Sequence, residues 1–151
     1  MGSLVRLHAA LDWINQDDLL ADIGCDHGLL SIYLANKYSN INIIASDVNS
    51  NALSSAISNI KNSGLEDIIE TRLGNGLDVV SPDEIDTVVI AGMGSNTITG
   101  ILKYAKDKLK NVFDNKQKTC YKTYRNGLKN KFPYICHSYT SISSSSFFDF
   151  L

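Results

Sequence analysis

Asp22, Asp26, His27, Asp47 and Asn75 are the side chains whose types and spacing in this chain could do chemistry. The first three share one string, Leu19-Leu20-Ala21-Asp22-Ile23-Gly24-Cys25-Asp26-His27-Gly28-Leu29-Leu30. An apolar run ends in Asp22, a glycine-bearing turn follows, and a second apolar-periodic segment starts at Leu29. The pattern predicts a strand, a loop and the start of a helix. Gly24 and Gly28 allow backbone angles and close approaches that a Cβ would block. The helix start adds N–H groups and the positive end of a dipole. Such a turn is suited to laying backbone against a small polar ligand.

The carboxylates restrict that ligand. Asp47 lies 19 residues beyond Gly28, at the end of the next apolar run. In nucleotide-binding α/β domains an acid about 20 residues after the glycine turn accepts hydrogen bonds from ribose hydroxyls. A helix-capping aspartate is the alternative at this position. The dinucleotide pattern G-x-G-x-x-G is absent, because the turn reads Gly24-Cys25-Asp26-His27-Gly28. Asp26 stands where a pyrophosphate needs a bare glycine, and Asp22 adds a second carboxylate. Two carboxylates repel a pyrophosphate and suit a cation or an ammonium group. S-adenosyl-L-methionine carries a sulfonium, an ammonium and a ribose, and no phosphate. The acidic turn selects it over a dinucleotide.

Further candidates sit in later loops. Asn75 both donates and accepts, so it can read an adenine edge; a turn-forming Asn between Gly74 and Gly76 is the other reading. Gly92-Met93-Gly94 lets a flat substrate or the reactive end of a cofactor approach the backbone, and a plain strand-to-helix turn would also use it. His27 is a base, a hydrogen-bond donor or a residue that orients the loop. Cys25 is expected to pack, since no paired base stands beside it.

The elements that must position these residues follow from the apolar pattern. Helices are predicted over residues 4–14, 29–38, 50–62 and 96–109, and strands over 19–23, 41–46, 68–73 and 86–91. Strand and helix alternate through residue 109, which argues for an α/β domain with a mostly parallel sheet. Asp22 and Gly24, Asp47, Asn75, and Gly92 all fall at strand ends, where such sheets bind ligands.

Bulk properties agree. The 151 residues are 44% hydrophobic and 20% charged, with a net charge of −2. That length suits about one domain of roughly 100–200 residues. No run approaches the ~18 apolar residues of a membrane span. Residues 1–11 hold one arginine and no signal-peptide core, so a cytoplasmic protein without membrane attachment is expected. Cys25, Cys120 and Cys136 are odd in number and lack metal-like spacing, so no metal is expected. Residues 1–110 carry 8 Lys and Arg against 14 Asp and Glu, whereas residues 111–151 carry 6 against 2. The acidic body is unlike a freestanding nucleic-acid surface, since phosphate contacts need Lys and Arg. The basic, Ser-rich tail over 111–151 breaks the alternation, with one strand conceivable over 132–139. Its composition suits a poorly ordered or non-native terminus.

Three strings, Asp22-Ile23-Gly24-Cys25-Asp26-His27, Arg72-Leu73-Gly74-Asn75-Gly76-Leu77 and Ile90-Ala91-Gly92-Met93-Gly94, resemble the bacterial TrmK family over residues 4–110. Members are S-adenosylmethionine-dependent methyltransferases acting on N1 of the adenine at position 22 of tRNA. The resemblance implies a Rossmann-like class I methyltransferase fold with S-adenosyl-L-methionine as cofactor and tRNA as partner; a monomer is expected. It implies that Asp22, Gly24, Cys25, Asp26, Asp47, Val48, Asn75, Gly76 and Gly92 bind the cofactor. Asp26, His27, Gly92 and Met93 then form the substrate-side wall. Asn75 departs from the family's usual Asp, and Ser95 from a usual Gly. The family continues with further strands and a helical extension that residues 111–151 do not match. A methyltransferase domain over 1–110, incomplete at its C-terminus by three of seven strands through a truncated or out-of-frame coding sequence, is the expectation. An inactive cofactor-binding module and a small-molecule methyltransferase are the alternatives.

Overall fold

The computed structural model describes Ile14, residues 16–91, Met93, residues 95–105, Asp107 and a strand over 120–124. The expected helix over 4–14, apart from Ile14, lies outside the described residues, as do Gly92, Gly94 and the conceivable strand over 132–139.

Five strands form one sheet: β1 (Leu19–Ile23), β2 (Asn42–Asp47), β3 (Ile69–Leu73), β4 (Thr87–Ala91) and β5 (Cys120–Tyr124). Their order is β3-β2-β1-β4-β5, and every pairing is parallel. This is the doubly wound, Rossmann-like arrangement, whose order reverses between β1 and β4. Among the described residues three helices accompany it: α1 (Leu29–Lys37), α2 (Ser50–Asn62) and α3 (Ser95–Tyr104).

β1, β2 and β4 read as largely apolar runs because both their faces are covered, whereas β3, Ile-Glu-Thr-Arg-Leu, is mostly polar and only Ile69 of it is buried. Alternation splits their side chains between two cores. Leu20, Ile43, Ala45, Ile69 and Val89 pack with Leu34, Leu53, Ala56 and Ile60 of α1 and α2. Ala21, Ile23, Val88 and Ile90 pack with Leu77, Val80, Ile98 and Leu102 on the opposite face. Helix α2 forms where the sequence signals it. Leu53, Ala56 and Ile60 share its buried stripe, at the i, i+3, i+7 spacing of an amphipathic helix. Asn49 is its N-cap, with Oδ1 accepting from the N–H groups of Asn51 at 2.9 Å and Ala52 at 3.2 Å. Gly64 follows its end at φ +65.

The β3–β4 crossover has no α-helix, only 3-10 turns at Gly76–Val79 and Pro82–Glu84. Arg72 ties it down. Its guanidinium donates to the Val79 carbonyl at 2.7 Å and to both Glu84 oxygens at 2.9 Å. Glu84 is pulled down to about 2, chiefly by the Arg72 hydrogen bonds and then by the Ser81 N–H.

The fifth strand corrects the expected pattern. The alternation visible in the sequence stops at residue 109, yet Cys120–Tyr124 pairs in parallel with Thr87–Ala91. Four strands were expected and the sheet has five. Cys-Tyr-Lys-Thr-Tyr is short and lies in a Lys- and Asn-rich stretch. Tyr121, Thr123 and Tyr124 favour a strand, but the run is too short and too polar to stand out from its surroundings.

Candidate functional site

The residues that could do chemistry meet at the carboxyl ends of β1, β2 and β3. The turn after β1 has three positive φ angles in five residues: Gly24 at +75, Asp26 at +52 and Gly28 at +74. Aspartate is among the few non-glycine residues that enter this region readily. A Cβ on Gly28 would lie 3.2 Å from that of Ala56, so glycine there lets the turn sit against α2.

Hydrogen bonds from neighbouring elements fix the turn. The Ser46 carbonyl of β2 accepts from the N–H groups of Gly24 and Cys25, each at 2.8 Å. The Asp26 N–H donates to Asp47 Oδ2 at 3.0 Å. The Gly28 N–H donates to the Cys25 carbonyl at 2.8 Å. Asn59 of α2 donates from Nδ2 to the His27 carbonyl at 2.9 Å. Four of the five N–H groups from Gly24 to Gly28 are thus spent inside the protein. A phosphate-cradling loop keeps such donors pointed at its ligand. This turn does not, and what it presents is carboxylate.

Asp47 is half-buried at the tip of β2. Its Oδ1 accepts from the Asn49 N–H at 2.9 Å and its Oδ2 from Asp26. The helix cap is Asn49, so Asp47 is not the capping residue of α2. A carboxylate has about four lone-pair sites, so acceptor capacity remains for two hydroxyls. Val48 beside it is 69% exposed, an apolar surface next to the acid.

Asp22 is placed differently. In register it pairs with Ala45 and Val89, on the face of the first core. It is buried, and Ser31 of α1 donates from Oγ to its Oδ2 at 2.6 Å. Burial pushes its carboxyl up to about 6; the Ser31 hydrogen bond opposes this and the nearby Asp47 charge adds to it. Asp22 therefore stands beneath the turn, tying β1 to α1. Cys25 is buried with a free thiol, pushed up to about 12 by burial first and then by Asp22 and Asp47. It packs, as expected, and is a poor nucleophile.

Asp26 and His27 are exposed, with His27 Nε2 3.6 Å from Asp26 Oδ1. Asn75 is exposed and makes no side-chain hydrogen bond to the turn it starts, while Gly76 takes the positive φ of +54. The Asn75 amide is therefore available to a ligand. The Gly74 N–H donates to the Asp47 carbonyl at 3.0 Å, which joins this third loop to β2. Met93 packs against the second core, and its terminal methyl lies over Gly24.

Ser31, Asn59 and the Ser46 carbonyl were not legible as site residues. Only the turn that they hold was signalled. Ser46 Oγ is also buried and has no hydrogen-bond partner among the described residues. A separate cleft of about 450 Å³ opens near the starts of β1 and β2, with Glu66, Asp67, Glu70 and Arg72 in its lining. Ligands of doubly wound sheets bind at the opposite, carboxyl ends, and the polar loops converge there.

Comparison with known proteins gives the same picture. A methyltransferase-domain family model matches residues 4–120. The tRNA (adenine(22)-N(1))-methyltransferase of Bacillus subtilis is 36% identical over 104 residues, which are 69% of this chain and 44% of that protein. A Streptococcus pneumoniae protein solved in complex with S-adenosyl-L-methionine superposes with a TM-score of 0.68 at 32% identity, covering 78% of this chain and 53% of that one. TrmK of M. capricolum, solved with S-adenosyl-homocysteine, gives 0.62 at 35% identity, covering 78% and 50%. The chain thus spans about half the length of these relatives or less. With the family model covering most of its length and the fold in agreement, the chain belongs to the methyltransferase-domain family.

Proposed function

We propose that the chain binds S-adenosyl-L-methionine at the carboxyl ends of β1 to β3 and transfers its methyl group to N1 of an adenine in tRNA. One observation carries the reading: the turn after β1 turns its N–H groups inward and leaves Asp26 and Asp47 at the surface. That chemistry rejects a diphosphate and accepts a cationic, phosphate-free adenosine derivative. The orphaned Ser46 hydroxyl, on the residue whose carbonyl holds the turn, also fits a polar ligand. The relatives solved with this cofactor and its product support the reading, as does the identity to the Bacillus subtilis tRNA enzyme.

The cofactor supplies an electrophilic methyl group. Asp47 would take the ribose hydroxyls, Val48 and Gly76 would flank the adenine, and Asn75 would read its edge. Gly24 and Cys25 contribute backbone, with Asp22 beneath them holding the turn in place through Ser31. Asp26, His27, Gly92 and Met93 would form the substrate side. Adenine N1 has a free lone pair at neutral pH, so no proton need be removed before attack. The work of these residues is alignment and exclusion of water, on a base first taken out of its stack. Alkylating a neutral ring nitrogen leaves the base positively charged. The exposed Asp26 carboxylate favours that charge as it develops. A cytoplasmic setting goes with this substrate.

The test is tritium transfer from labelled cofactor to tRNA lacking the modification, with the product mapped to the methylated base. Transfer to N1 of the adenine at position 22 is expected, and cofactor binding without transfer to any tRNA would refute the substrate. The acidic balance of residues 1–110 favours a small-molecule acceptor as the second reading, which label transfer in a metabolite extract would reveal.

A further inference from the structure

We propose that Met93 and the bound cofactor compete for the surface of Gly24, so that Met93 sets cofactor affinity by moving aside. This rests on the functional reading above and goes beyond it. A Cβ built on Gly24 would collide with the Met93 methyl, and it would lie 3.7 Å from the Met93 sulfur. The face that glycine leaves bare is thus covered by a thioether whose stem packs on the second core. The same bare face is the close approach that a ligand needs at this turn. Two groups cannot occupy it together. The backbone cannot yield, because the Gly24 N–H is tied to the Ser46 carbonyl at 2.8 Å and the neighbouring Cys25 N–H shares that acceptor. The side chain can. Methionine is unbranched, has three rotatable bonds and repacks at low cost. Glycines flank it in sequence at positions 92 and 94. Apparent affinity is lowered by the fraction of molecules in which the methionine still covers the turn.

Met1 and Met93 are the two methionines of the chain, so methyl-13C-methionine labelling gives two resonances. In the free protein the Met93 methyl should show a nuclear Overhauser contact to the Gly24 α-protons. Saturation with S-adenosylhomocysteine should shift that resonance and abolish the contact. Calorimetry on Met93→Ala should find about three- to tenfold tighter binding, and Met93→Ile, stiff at χ1, should bind more weakly than wild type. Binding by calorimetry with an unmoved Met93 resonance overturns this inference alone. So does Met93→Ala binding no more tightly than wild type. No binding of S-adenosylhomocysteine at all overturns the functional reading, and this inference with it. The wild-type spectrum decides if a variant does not fold.

Discussion

Asp47 Oδ2 accepts the backbone N–H of Asp26 at 3.0 Å, so the tip of β2 holds the turn that follows β1. One carboxylate therefore shapes the turn and, in the proposed function, also takes the ribose hydroxyls. Asp47→Ala removes both, and S-adenosylhomocysteine affinity should fall by about 100-fold or more, since hydrogen bonds to charged groups contribute roughly 1.5–3 kcal/mol each. Asp47→Asn keeps one acceptor oxygen and should fall between the two. Unchanged affinity in Asp47→Ala, measured by calorimetry, refutes the ribose assignment.

Asp26→Asn separates binding from turnover. Its backbone N–H still reaches Asp47, so the turn keeps its shape. The carboxylate proposed to favour charge on the methylated base is gone. The turnover number should drop about 10- to 100-fold, on the scale of losing one electrostatic contact to a transition state. Cofactor affinity should change less than threefold. Equal losses in both, by single-turnover kinetics and calorimetry, would place Asp26 on the cofactor instead.

Asp22 gives the fold a pH dependence. Burial pushes its folded pKa up to about 6, above the ordinary carboxyl value of 3.8. The folded state therefore holds a proton that the unfolded chain has released. Its contribution is full below about pH 4 and is lost as pH rises through about 6. Asp22→Asn removes this titration while keeping an acceptor for Ser31. Relative to wild type, the variant should gain roughly 1–2 kcal/mol on going from pH 5 to pH 8. Parallel urea-unfolding profiles at the two pH values would refute it.

β1, β2 and β4 were readable because each is an apolar run ending in a polar or glycine residue, and burial on both faces is what such runs encode; β3, mostly polar, was readable from its place between the Gly64 helix end and the Gly74-Asn75-Gly76 turn. β5 was not, because Cys120–Tyr124 is a short run with Lys122 at its centre inside a Lys- and Asn-rich stretch, without the apolar continuity of β1 or β4. At the site, the place of Asp47 at the tip of β2 was legible from the end of its apolar run. The direction of Asp22 was missed, although alternation along β1 contains it: Asp22 shares a face with Leu20, which faces α1 and α2. Ser31, Asn59 and Ser46 had no sequence signal, because their roles are hydrogen bonds to residues 9, 32 and 22 positions away.

Arg72 and Glu84 carry the load that a helix carries in other crossovers. Glu84→Gln removes the charge from a two-pronged pair and weakens the hold on the Val79–Glu84 turn. The partly exposed pair is screened, so the loss should be about 1 kcal/mol at pH 7. Glu84 is depressed in the folded state. Its contribution is present above the unfolded pKa and disappears as pH falls through about 2. Wild type and variant should therefore converge on acidification, and a difference that persists at pH 2 in urea unfolding would assign the turn's stability to packing.

A chain ended at residue 110 tests whether β5 completes the sheet. Val88, Val89 and Ile90 of β4 are buried, and β5 pairs with that strand along its whole length. Without β5 the row of N–H and C=O groups on the outer side of β4 loses its partner. An apolar strand with an unpaired edge recruits other chains. The shortened chain should elute as oligomers or precipitate at concentrations where the 151-residue chain stays dispersed, with a lower melting temperature. Equal melting temperatures and one monomeric peak for both, by scanning calorimetry and size-exclusion chromatography, would make β4 a self-sufficient edge and return residues 1–110 to an independent domain.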